Sequence, residues 1–232
     1  MARAAATEID VVPIERETVQ QRVYRQLRDL LMRGRFQPGQ PLLIHDLADA
    51  FATSAQPVRE AIRQLVAEKA LVASPNRSAC VPVIDRERME DLRRARIAIE
   101  GLAVELAAER STDRDIEALA ALVAEEVRAD DASRPEASVA QNQAFHMQLY
   151  RLSGSVVLLP IIESLWLQVG PYIRRAAEYF DARSGRGAEF HVTAIDALRR
   201  HDPKAVRAAI EADINRLFDI CIELERAPET AA

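Results

Sequence analysis

Aromatic side chains are scarce in this chain, 5% of 232 residues, while Ala, Leu, Arg and Glu abound, a balance that favours helix over sheet. Long apolar runs are missing too. None approaches the ~20 residues that span a bilayer, so no transmembrane helix is expected. The opening MARAAATEID has no apolar core of the kind that directs secretion, and the expected location is the cytoplasm. Cysteine is limited to Cys80 and Cys221, which belong to no metal or redox spacing. Both sit among apolar neighbours and read as buried free thiols. What is present is 49% hydrophobic and 29% charged, the composition of a globular protein with room for one large domain or two small ones.

The net charge of −5 argues against a nucleic-acid partner only until it is divided. Residues 1–84 hold 11 Lys/Arg against 9 Asp/Glu, a balance of +2. Residues 85–232 hold 20 against 27, a balance of −7. Mild positive charge therefore lies in the N-terminal part, and the acidic remainder is suited to stay away from phosphate.

Residues 1–15 show no periodicity and read as a flexible arm. From Thr18, the residues Val23, Leu27, Leu30 and Leu31 recur at helical spacing up to Gly34. The run 37–41 is a turn, and a short second helix is expected from about His45 to Phe51. Ser54 is placed to cap a third helix with Pro57 in its first turn and Val58, Ala61, Ile62 and Leu65 as its buried stripe. Residues 71–73, 74–78 and 79–83 then read as strand, turn and strand. Helix, helix, helix and a two-strand wing make a winged helix-turn-helix over residues 16–84. Beyond it, helices are expected at about 86–109, 113–130, 136–153, 156–181, 187–200 and 203–225, with Pro171 kinking the fourth. These form an antiparallel all-α bundle over 85–228, so the fold class is mostly α.

A recognition helix places its N-terminal side chains at base edges. Here those are Ser54, Gln56 and Arg59; Gln can read adenine and Arg guanine through paired hydrogen bonds. Arg63 lies one turn further toward phosphate, Arg77 sits at the wing tip, and His45 precedes the reading unit within reach of a phosphate. Solvated arginines on any small helical subdomain are the plainer account of each residue taken singly.

The chain has only four histidines. Asn142 and His146 share a helix face. His191 and Asp213 stand equidistant from residue 202, where Asp202-Pro203 turns one helix into the next, so an antiparallel hairpin sets them at one level. Four N/O donors of this kind suit Zn, Ni or Mn. A polar pocket of satisfied core histidines without metal is the alternative. Arg96 and Glu100, one turn apart, read as an i,i+4 ion pair on a helix surface. Trp166, Tyr172 and Tyr179 on the long helix are assigned to core packing, with a cavity wall as the other reading.

The stretches Gly34-Arg35-Phe36-Gln37-Pro38-Gly39, Asp46-Leu47-Ala48 and Pro57-Val58-Arg59-Glu60-Ala61-Ile62-Arg63-Gln64-Leu65 resemble the GntR family of bacterial transcriptional regulators. Arg96-Ile97-Ala98-Ile99-Glu100, Phe145-His146, His191 and Asp196-Ala197-Leu198 resemble its FadR-type, or FCD, effector domain. The resemblance implies a homodimer on double-stranded operator DNA, acting as a repressor that a small carboxylic acid relieves. It also implies a divalent metal on Asn142, His146, His191 and Asp213, and Arg96 gripping the effector carboxylate. Four departures stand out: Ala55 and Gln56 replace the Arg and Thr common there, Ser78 replaces a wing glycine, and Asp213 replaces a His. Two rivals remain, a metal-free regulator answering to a long acyl thioester and a metal-dependent enzyme built in the bundle.

Overall fold

The computed structural model describes residues 17–74, 79–181 and 187–226. The expected arm at 1–15 and Arg77 at the wing tip lie outside the described residues.

Helix α1 (Val19–Met32) starts at Thr18, whose hydroxyl accepts from the Gln21 amide while the Gln21 side chain accepts from the Thr18 amide. This reciprocal cap satisfies two donors that the helix cannot bond itself. The helix ends at Gly34, whose φ of +62° is a left-handed backbone that glycine adopts without steric cost. Strand β1 (Pro41–Leu42) leads into α2 (Ile44–Ala50) and α3 (Ala55–Ala67). Val58, Ala61, Ile62 and Leu65 are buried, as the stripe predicts. Strands β2 (Val72–Ala73) and β3 (Ala79–Cys80) form the wing.

The sheet has three strands rather than two. β1 pairs antiparallel with β3, Pro41 opposite Cys80 and Leu42 opposite Ala79, and β2 takes the other side of β3. A two-residue strand carries no period, so the 37–41 turn reading missed it. Cys80 is half-buried on this small sheet, whereas Cys221 is buried; both are free. Ser54 occupies the N-cap of α3 with extended geometry, but its hydroxyl makes no capping bond.

Six longer helices follow: α4 (Arg86–Arg110), α5 (Asp113–Asp131), α6 (Pro135–Leu152), α7 (Leu158–Asp181), α8 (Glu189–Arg199) and α9 (Pro203–Arg226). Asp85 and Thr112 cap α4 and α5 through side-chain oxygens, and Asp202 accepts from the Ala205 amide at the head of α9. Helix α7 runs on through Pro171 without a break. In the bundle α4 lies against α9, α5 against α6 and α8 against α9.

The head is not merely tethered. α1 packs on α7, and the buried apolar core runs from Leu27 and Leu31 to Val169 and Ile173. Arg28 pairs with Glu163 at 2.7 Å, and Arg174 and Arg35 both pair with Glu136. The Tyr172 hydroxyl accepts from the Ile84 amide at 2.7 Å, pinning the segment that joins wing to bundle.

Candidate metal centre and nucleic-acid interface

Three bundle helices bring His146, His191 and Asp213 together: α6, α8 and α9. His146 Nε2 lies 3.1 Å from His191 Nε2 and 3.2 Å from Asp213 Oδ2, and His191 Nε2 lies 3.6 Å from the same oxygen. All three residues are buried. Asn142 lines the same cavity one turn before His146. The Asp202-Pro203 turn does set His191 and Asp213 at one level.

The far nitrogens are fixed. The Tyr150 hydroxyl donates to Glu100 Oε2, so it accepts from His146 Nδ1–H at 2.9 Å. Glu126 Oε2 accepts from His191 Nδ1–H at 2.8 Å. With His191 neutral, both Nε2 lone pairs face one another and a carboxylate oxygen. Three acceptors at this separation repel unless a cation sits among them. Donor atoms around a metal with bonds of ~2.0–2.1 Å stand roughly 3.3 Å apart in a tetrahedral shell, which matches the observed edges. The set fits a divalent ion, and orientation of ligating histidines by a carboxylate and a hydroxyl is a usual outer shell.

Electrostatics agree. Burial opposes charge on His191, but the Glu126 and Asp213 carboxylates outweigh it and push its pKa to about 10. Burial lowers the pKa of His146, against the pull of Asp213. Burial works to raise Asp213, yet the two histidines hold it well below the usual carboxylate range. Asp213 Oδ1 also accepts from Arg216 at 2.8 Å. Without metal, the proton on His191 is the cation this cluster requires.

Arg96 is buried, 1% exposed, and not on the helix surface. Its Nε and Nη2 donate to Glu100 at 2.6 and 3.0 Å, so the ion pair exists, but inside the bundle. Arg96 Nη1 is buried with no hydrogen-bond partner among the described residues. The guanidinium stacks over the Trp166 ring at 4.8 Å. Arg96, Asn142, His146, Asp213 and Trp166 line one cavity of about 80 Å³. Tyr172 packs under the joining segment, and the Tyr179 hydroxyl bonds Glu223.

Glu126 and Tyr150 were missed by the sequence reading. Glu126 had a signal: Ile116, Leu119, Val123 and Glu126 share one buried stripe, and a carboxylate on an apolar stripe needs a partner. Tyr150 continues the face of Asn142 and His146 by one further turn.

In the head, Ser54 and Gln56 are exposed at the start of α3 and Arg63 is exposed two turns on. Arg59 is half-buried and donates to Gln56 Oε1 at 3.1 Å, while Gln56 donates to Glu60 at 2.7 Å. Arg59 and Arg63 border a cleft closed by Ile44, Ala73 and Ala79, between the third helix and the wing. His45 is exposed on the first turn of α2.

Residues 19–81 match the bacterial regulatory proteins of the gntR family, and residues 91–216 match the FCD domain. The chain belongs to the GntR family and carries an FCD effector domain. This regulator is 32% identical over 149 residues to the transcriptional regulator McbR of Escherichia coli K12, covering 64% of this chain and 67% of that one. It is 29% identical over 198 residues to the Nta operon transcriptional regulator of Aminobacter aminovorans, covering 84% and 90%. It is 32% identical over 148 residues to the transcriptional repressor GlaR of E. coli K12, covering 62% and 67%. The solved structure of E. coli McbR/YncC superposes with a TM-score of 0.83 at 26% identity, over 90% of this chain and all of that one. The regulator is thus a non-enzymatic transcription factor with a winged-helix head and a helical FCD domain. Among the described residues no helix is long and apolar enough to cross a membrane.

Proposed function

We propose that this regulator represses transcription from a near-palindromic operator as a homodimer, and releases it when a small carboxylic acid enters the bundle. Ser54, Gln56 and Arg59 read base edges, with Arg63, Arg77 and His45 on the backbone. A divalent ion, Zn, Ni or Mn, is held by His146, His191 and Asp213 with Asn142 beside them, and supplies a Lewis-acidic anchor for the acid's oxygen. Arg96 takes the carboxylate. The observation that carries this reading is that one cavity is lined by His146 and Asp213, two members of the His146–His191–Asp213 cluster, and by Arg96, whose Nη1 has no partner among the described residues.

A cavity of about 80 Å³ has room for roughly five to eight water-sized atoms, which disfavours a long acyl thioester. Transmission follows from α7, which lines the cavity through Trp166, Ile173 and Ala176 and touches α1 through Gly170. A ligand shifts the head only by favouring one setting of α7 over another. Operator binding by the metal-loaded protein, with and without small carboxylic acids, tests the reading. The expected result is weaker operator binding with at least one acid, and none in Arg96→Ala. Operator affinity indifferent to every acid would overturn it.

A further inference from the structure

Two donors of residues on the cavity wall have no partner among the described residues: Arg96 Nη1 and the indole Nε1 of Trp166. Both side chains are 1% exposed. They are stacked on each other, guanidinium over ring at 4.8 Å, and the Trp166 ring is also 5.1 Å from the His146 imidazole. A buried N–H without an acceptor is costly, and two such groups on one cavity call for an acceptor-rich occupant. Two of the five guanidinium N–H groups, one on Nε and one on Nη2, donate to Glu100, which fixes the plane of the guanidinium.

We infer that Trp166 is a ligand-contact residue that sets specificity: its indole N–H donates to the effector beside the Arg96 guanidinium. This rests on the carboxylate reading above and sharpens it. The ring also has a positioning part. Wedged between the Arg96 guanidinium and the His146 imidazole, it holds the carboxylate clamp and the metal cluster at a fixed separation. The acid that fits offers one oxygen pair to Arg96 and Trp166 and a further oxygen toward the metal cluster. It is short, because the cavity admits only roughly five to eight heavy atoms. A small 2-hydroxy carboxylate has that shape, and a neutral amide of equal size lacks the acceptor strength.

The chain contains one tryptophan, so uniformly ¹⁵N-labelled protein gives a single indole N–H resonance. The experiment is a titration of zinc-loaded, full-length protein with glycolate, read at that resonance, beside calorimetry on the native, Trp166→Phe and Arg96→Ala proteins. Glycolamide serves as the neutral control. The expected result is a downfield indole shift that saturates with the calorimetric midpoint, no response to glycolamide, and glycolate binding weakened about tenfold or more in Trp166→Phe. That variant removes the N–H and shrinks the ring, so zinc content is measured beside it and the native indole shift is the readout that packing alone would not move. If glycolate binds, Arg96→Ala abolishes it, and the indole resonance stays at its zinc-only position, Trp166 is packing alone and the inference falls while the carboxylate reading stands. If glycolate, lactate and acetate all fail to bind the native protein, both fall. Should Trp166→Phe not fold, the native indole shift decides.

Discussion

Gly170 lies directly beneath the carbonyl of Leu31, so close that a methyl group there would collide with that oxygen and come within 2.7 Å of the Met32 Cα. Backbone meets backbone, and neither can swing aside. This contact is among those that seat the DNA-binding head on α7, which also lines the bundle cavity. Gly170→Ala is expected to lower stability by about 1–3 kcal/mol through overpacking, read by urea denaturation. Gly101→Ala is the control: its new methyl meets only the end of the Arg207 side chain, 3.1 Å away, which can move. Equal losses in both variants would remove the α1–α7 contact from the account.

Arg59→Ala is expected to weaken operator binding by about 1–3 kcal/mol while changing binding to unrelated DNA far less. Because Arg59 and Gln56 are already bonded to each other, Gln56→Ala should also lower specificity by freeing Arg59. Competition binding at fixed salt checks both. Equal loss on specific and unrelated DNA would make Arg59 a phosphate contact only.

Glu100→Ala leaves the Arg96 guanidinium buried without its carboxylate, and also removes the acceptor of the Tyr150 hydroxyl. Breaking a buried pair on one side costs about 3–5 kcal/mol, and a thermal or urea melt is expected to show it. A surface pair would have shown under about 1 kcal/mol.

The folded, metal-free protein holds His191 at a pKa of about 10, raised above the ordinary histidine value. A raised folded-state pKa adds stability that is complete below the unfolded value of ~6.5 and is lost as pH climbs through the folded one. Metal-free protein is therefore expected to lose stability between about pH 6.5 and 10. Metal ions compete with the same proton, so apparent metal affinity should rise with pH across that window, with proton release on binding. Melting temperature against pH, with and without zinc, measures both; identical profiles would contradict the site.

Much of this was legible in the sequence where the physics is local. The helix starts expected at residues 86 and 113 fall at Arg86 and Asp113, where Asp85 and Thr112 cap within one turn, whereas Ser54, the cap read from the sequence, makes no capping bond. The buried stripe of α3 follows from spacing alone. His191 and Asp213 could be paired because a hairpin's symmetry is a one-dimensional property. What stayed hidden depends on long-range packing. Arg96–Glu100 has the same spacing on a surface or in a core, and only the bundle decides. Trp166 reads as core until its orphaned N–H is seen on a cavity wall. The Gly170–Leu31 contact joins residues far apart in sequence and leaves no periodic trace. β1 is too short to carry a pattern at all.

The central claim is that His146, His191 and Asp213 hold a divalent metal. Metal content per chain, on untagged protein purified without chelator and then offered Zn, Ni and Mn, tests it most directly. The account predicts about one ion per chain in the native protein and essentially none in the His146→Ala and His191→Ala variants. A native protein that takes up none of the three ions, or variants that keep the full load, would contradict it.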